Sequence, residues 1–279
     1  MQEILERQNE HKMLEIQFAA KFLFNVAEKT NSLATYIALI PLLCLIPYPD
    51  SWTEAVTTIA VIVDLLVIAL IAITRQCVNN AADLRAHFDA YVLHASKSKL
   101  HNKLQDLVYQ IVRTFSKQAE PAMSNTGLDT PPGVKNWYGL KNANNYIDAV
   151  VKCLNENRWW DKKLNIHRII RTTTFLAVTI ALTAVLIFAV GIKWYLVLLA
   201  VIQLILRLGE RLITNIKYFD ATKKLEGAYD MLENSPTKKN LIGVQKAIDT
   251  RRHIPVLGSN KWHKKKAHNL SEEYENTIA

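Results

Sequence analysis

Apolar and polar residues alternate in long blocks along this chain. Residues 32–49 carry no charged side chain. At about 1.5 Å per residue such a run lies near the lower limit for crossing a ~30 Å hydrocarbon core. Pro41 predicts a kink in it, and Pro47 and Pro49 a stop. The short link through Pro49, Asp50 and Trp52 allows only a hairpin. Ala55 to Thr74 is a second span with one charge, Asp64. Thr172 to Gly191 is a third, uncharged span, closed by a tight turn at Lys193. Trp194 to Ile213 is the fourth, with Arg207, Glu210 and Arg211 in its inner third. Trp52, Trp194 and Tyr195 fall at hairpin ends, where amphipathic aromatics belong.

The remaining blocks read as helix. Residues 1–31 form one amphipathic helix leading into the first span. In the middle region, Leu100, Leu104, Leu107, Val108, Ile111, Val112 and Phe115 recur at helical spacing within a helical stretch from Asn79 to Lys117. Glu120 to Gly139 collects Pro121, Gly127, Pro131, Pro132 and Gly133 and reads as a loop. Helix resumes from Asn142 and runs into the third span. The fourth span continues as helix to Asn234, Ser235-Pro236 breaks it, and Asn240 to Arg252 forms a short helix. The predicted fold class is an all-α membrane protein. Its parts are an N-terminal helix (1–31), a first transmembrane hairpin (32–74), a helical region (75–171), a second hairpin (172–213) and a C-terminal helical region (214–279).

Charge orients this plan. Of the 34 Lys and Arg, 4 lie in 1–31, 15 in 75–171 and 14 in 207–279, leaving only Lys193 in a hairpin turn. The positive-inside rule then puts both termini and the middle region in the cytoplasm. The net charge of +9 suits anionic lipid or a phosphate-bearing ligand. Cys44, Cys77 and Cys153 form neither a CxxC pair nor a metal-like spacing. No secretory signal precedes the first span, which must therefore serve as the insertion signal.

Catalytic patterns are missing. Scattered glycines make no phosphate-cradling loop, and neither GxSxG nor HExxH occurs. His87, His94 and His101 are seven apart, about 10.5 Å of helix per step, too far for a shared metal. The chain reads as a non-enzyme with no metal and no cofactor. Asp64, near the midplane, needs a polar partner, since a central Asp costs roughly 2.5–3.5 kcal/mol on insertion scales. Thr183 and Gln203 fall at the same depth, and Arg207 stands at the inner mouth. Two readings stay open: packing hydrogen bonds within one subunit, or a polar ring between subunits of a homo-oligomer. Aromatic and basic residues cluster at Lys135 to Tyr138, Arg158 to Lys163 and Lys261 to Lys266. Such clusters suit stacking on bases and pairing with phosphates, or alternatively packing and lipid contact.

Several segments together resemble a known family. These are Ile4 to Asn9 with its Gln-Asn pair, Ala82 to Asp89 with its Phe-Asp pair, and Trp137-Tyr138. Cys153 to Asn157, Trp160-Asp161 with Leu164, and Gln245, Ile248 and Arg251 followed by Pro255 complete the series. In this order and on this two-hairpin plan the chain resembles the SMODS-associating four-transmembrane family. The resemblance implies a pore-forming effector of bacterial anti-phage signalling. A cyclic di- or oligonucleotide would bind the cytoplasmic domain, and the inner membrane would then lose integrity. Candidate ligand contacts are Trp137, Tyr138, Arg158, Trp160, Lys162, Lys163, Arg251 and Trp262. Candidate pore or gating residues are Asp64, Thr183, Gln203 and Arg207. Expected partners are lipid, the nucleotide and further copies of the chain, with no DNA or RNA polymer. The rival readings are a membrane-anchored interaction protein and a ligand-independent ion channel.

Overall fold

The computed structural model describes residues 2–45, 50–94, 99–127, 129–138, 146–189 and 194–256. Within these the protein is helical: α1 (Gln2–Gln8), α2 (His11–Ile37), α3 (Thr53–His94), α4 (Asn102–Thr114), α5 (Ser116–Ser124), α6 (Tyr146–Phe188), α7 (Trp194–Asn234) and α8 (Lys238–Arg252). No strand occurs among the described residues, only an isolated bridge between Thr126 and Lys135.

One hydrophobic core draws on every helix. Ile4 of α1, Ile16 and Leu23 of α2, Leu84 and Phe88 of α3, Ile111 of α4 and Ala119 of α5 meet there. Leu154 of α6, Leu225 of α7 and Ile248 of α8 complete it. Three of these helices, α3, α6 and α7, run on for about 40 residues each. Their other ends carry the apolar blocks. There Ile62, Leu65 and Ile68 of α3, Phe175, Leu182 and Phe188 of α6, and Leu206 of α7 are exposed, Phe188 at 85%. Apolar side chains in such number, off any core, belong in contact with lipid or another apolar surface. Two helical stretches among the described residues, Thr53–His94 and Ile169–Phe188, are long and apolar enough to cross a membrane.

The structure revises four expectations, the first being the helical stretch from Asn79 to Lys117, which is divided among α3, ending at His94, α4 and α5. Residues 1–31 are not one helix. The chain breaks after Gln8 because the Asn9 side chain bonds Asn136 instead: its Nδ2 donates to Asn136 Oδ1 at 2.7 Å, and Asn136 N donates to Asn9 Oδ1 at 3.0 Å. The first apolar block is not a continuous helix. α2 stops at Ile37, and a 3-10 segment (Ile40–Leu45) follows. Pro41 lacks the N–H that an α-helix needs there, and Leu42 N turns to Leu39 O at 3.1 Å. The expected loop at Glu120 begins later, because α5 continues through Pro121 to Ser124. By contrast α7 ends at Asn234, and α8 begins after Thr237, whose hydroxyl accepts from Asn240 N at 3.3 Å.

Candidate functional site

Asp89 is the centre of the polar part of the core. It lies on the face of α3 that buries Leu84, Phe88 and Val92, and it is 1% exposed. A carboxylate in that position must be fully hydrogen-bonded. The Tyr138 hydroxyl donates to its Oδ1 at 2.6 Å. Gln245 Nε2 donates to its Oδ2 at 3.1 Å, and Arg252 Nη1 does so at 2.6 Å. Gln8 then clamps the Tyr138 backbone: Tyr138 N donates to its Oε1 at 2.9 Å, and its Nε2 donates to Tyr138 O at 3.4 Å. Segments from α1, α3, the loop before α6 and α8 thus meet at one carboxylate.

Burial alone would lower the Arg252 pKa, but Asp89, Tyr138 and Asp249 outweigh it and hold the pKa above its ordinary value. Burial pushes the Tyr138 phenol up, and the Asp89 charge adds to this. Arg85, one helical turn before Asp89, has a different environment. Its guanidinium lies over the Trp137 ring, 3.8 Å from the centroid. Burial first, and then the charge of Arg252, bring its pKa down to about 10.

A second polar cluster lies where the apolar ends of the helices begin. Glu210 of α7 bridges two arginines, accepting from Arg75 Nη2 at 2.6 Å and from Arg207 Nη1 at 2.5 Å. Arg207, 4% exposed, also donates to the Asn31 side chain and to Asn31 O at 3.4 Å. Thr30 and Thr74 share a hydrogen bond of 2.8 Å, and Arg211 Nη1 donates to Thr35 Oγ1 at 3.4 Å. Asn215 Nδ2 donates to Thr172 Oγ1 at 3.1 Å. This girdle ties α2, α3, α6 and α7 together.

The residues singled out from sequence separate into groups. Trp137 is 37% exposed, with the guanidinium of Arg85 on one face. Tyr138 is 1% exposed and bound to Asp89, which makes it a support of the site rather than a stacking platform. Arg251 is 3% exposed and lies over the Tyr218 ring at 5.8 Å. The side chains of Arg158, Trp160, Lys162 and Lys163, and the whole of Trp262, lie outside the described residues. Arg207 stands in the girdle. Asp64 is half-buried, and its Oδ1 has no hydrogen-bond partner among the described residues. Thr183, 9% exposed, donates to Thr179 O of its own helix at 2.7 Å, and Gln203 is buried on α7. The contact expected between Asp64 and these two is therefore not made through Asp64 Oδ1 or by donation from the Thr183 hydroxyl. His101 leaves the expected histidine face and caps α4, accepting from Lys103 N at 3.3 Å.

Sequence reasoning missed Arg85, Asp89, Arg252, Asn31 and Glu210 as members of these clusters. A signal existed for the first two. Ala81, Leu84, Arg85, Phe88, Asp89 and Val92 share the apolar spacing of α3, so two charges stand on a buried stripe.

A helical protein results, with one polar-centred core and long apolar helices joined to it by a buried ionic girdle. That build suits a membrane protein with a packed helical domain outside the bilayer. The chain belongs to the SMODS-associating 4TM effector domain family, whose model matches residues 2–223. No curated protein and no solved structure matches the chain.

Proposed function

We propose that this protein is a nucleotide-gated membrane effector of anti-phage defence. A cyclic di- or oligonucleotide binds the helical core domain in the cytoplasm, and the apolar helices then permeabilise the inner membrane. The observation that carries the reading is the continuity of α3, α6 and α7. Each runs unbroken from the core into an apolar segment, so a change in the core reaches the bilayer without an intervening joint. The family description, an effector domain associated with SMODS, supports the nucleotide signal. The basic surplus, nearly all of it outside the hairpin turns, supports a cytoplasmic core domain with both termini inside.

Four spans complete the arrangement. Thr53–His94 and Ile169–Phe188 supply two of them. The end of α2 with the 3-10 segment, and the start of α7, supply the other two. Four helices of this length can seal their own interior, so a conducting path forms between several copies. Asp64 would line it, with Thr183 and Gln203, buried within one copy, packed behind it.

The test is dye release. Protein purified in detergent is reconstituted into liposomes loaded with a self-quenched dye and mixed with a panel of cyclic nucleotides. At least one member should release dye, and protein-free vesicles should not respond. Ligand-independent leakage would favour a constitutive channel. Absence of both leakage and nucleotide binding would favour a membrane anchor.

A further inference from the structure

The Arg85–Trp137 stack is the least self-sufficient part of the core. Arg85 is 7% exposed, and its guanidinium lies on the Trp137 ring instead of being clamped on a carboxylate. The neighbouring carboxylates are engaged elsewhere. Asp89 holds Tyr138, Gln245 and Arg252, Asp249 accepts from Gln245 at 2.9 Å, and Asp83 faces His253 at 2.9 Å. A guanidinium has five N–H donors in a planar fork. Stacking on an indole occupies its face and leaves that fork unused. A guanidinium fork fits a planar or tetrahedral oxyanion, which it can meet with two parallel bonds. The charge of Arg252 is felt at Arg85 and is opposed by that of Asp89.

Trp137 is held in place. The preceding Asn136 adopts a left-handed backbone with φ 53°, a conformation that Asn tolerates better than most residues. Asn9 pins it by two hydrogen bonds, and Gln8 pins Tyr138 on the other side. The indole between them keeps 37% of its surface open while one face is covered by Arg85. Such a fixed aromatic surface is what a nucleobase stacks on.

We propose that the Arg85–Trp137 stack is the recognition element for a ligand that joins an aromatic base to a phosphate. The base lies on the open side of the Trp137 indole, and an adjoining phosphate oxygen accepts from the Arg85 fork. This rests on the nucleotide-gated reading above and gives it a location. Arg85 and Asp89 are four residues apart on α3, so the ligand acts on the helix that carries Asp64 and Arg75.

The test uses full-length protein in detergent and calorimetry with cyclic di-AMP, cyclic di-GMP, cyclic GMP–AMP and cyclic tri-AMP. Wild type should bind at least one. Trp137→Leu should weaken that binding about 10- to 100-fold, the range that loss of one base–aromatic stack gives. Arg85→Lys keeps the charge but loses the planar fork, and should weaken binding at least about tenfold. Inorganic pyrophosphate should compete with the bound nucleotide in wild type and less in Arg85→Lys. Because Arg85 is buried, melting curves accompany both variants. Should Arg85→Lys lose its fold, the half-exposed Trp137→Leu decides alone. Wild type binding while Trp137→Leu binds within about twofold overturns the site and leaves the nucleotide-gated reading standing. Wild type binding none of the four overturns both.

Discussion

Replacing Asp89 with alanine should be among the most damaging single changes in the core domain. The carboxylate is 1% exposed and accepts from Tyr138, Gln245 and Arg252. Asp89→Ala leaves the Arg252 guanidinium, whose side chain is 14% exposed, with only the long 3.5 Å contact to Asp249 in place of its 2.6 Å pair. Removing one partner of a buried pair costs about 3–5 kcal/mol. The orphaned Tyr138 hydroxyl on its own would cost ~1–3 kcal/mol, but the two losses overlap and do not add. The expected total is therefore about 3–5 kcal/mol, or roughly 6–20 °C in melting temperature for a chain of this size. Tyr138→Phe removes one hydrogen bond and leaves Arg252 paired, so it should cost about 1.5–3 kcal/mol. The double variant Asp89→Leu with Arg252→Met replaces the pair by apolar groups and should recover most of the loss. Melting followed by tryptophan fluorescence in detergent measures all three. An Asp89→Ala protein that melts within about 2 °C of wild type, under roughly 1 kcal/mol, would refute the view that this carboxylate organises the core.

Other consequences follow from single contacts. A Cβ on Gly133 would come within 1.8 Å of Asn125 O, so Gly133→Ala must push the loop away from α5 and displace Trp137; limited proteolysis should show faster cleavage near residue 133. His253 pairs with Asp83, and although burial opposes its charge, the Asp249 carbonyl and Asp83 raise its pKa above the ordinary value. Its stabilising contribution is thus complete below about pH 6.5 and fades as pH climbs through the raised pKa, so the melting-temperature gap between wild type and His253→Gln should shrink from pH 6 to pH 8.5. Asp64→Leu removes a carboxylate oxygen that has no partner, so the protein should insert and melt at least as well as wild type. If Asp64 lines a conduit, the same change should alter nucleotide-triggered dye release.

The helix ends read from local chemistry held up best, because a Ser-Pro break or a Thr cap acts within four residues. The end of α7 at Asn234 is of this kind, whereas the Thr237 cap starts α8 at Lys238, two residues before the expected Asn240. What could not be read was set by partners far away in sequence. Nothing local stops a helix at Gln8. The break exists because Asn9 finds Asn136, more than a hundred residues on. Likewise Tyr138 carries the aromatic and basic surroundings of a ligand contact, and only its packing against Asp89 shows it to be a support. Motif order was informative in a way that motif chemistry was not. Gln8-Asn9, Phe88-Asp89, Trp137-Tyr138 and Gln245 are scattered along the chain, yet all four meet within one hydrogen-bonded cluster.

The same α3 helix links the polar centre to the membrane. Arg85 and Asp89 stand in the core, Thr74 and Arg75 in the girdle, and Asp64 in the apolar segment. From Asp64 to Arg85 is 21 residues, about 32 Å along the axis. An uninterrupted helix moves as one piece, so rotation or sliding at Arg85 is felt at Arg75. There the Glu210 bridge joins α3 to α7, and Arg207 joins α7 to α2 at Asn31. Breaking that bridge would leave Arg207 held, among the described residues, only by Asn31, so the girdle couples α2, α3 and α7. Under the proposed function that coupling gives Arg75, Arg207 and Glu210 a role that leucines at the same positions could not fill.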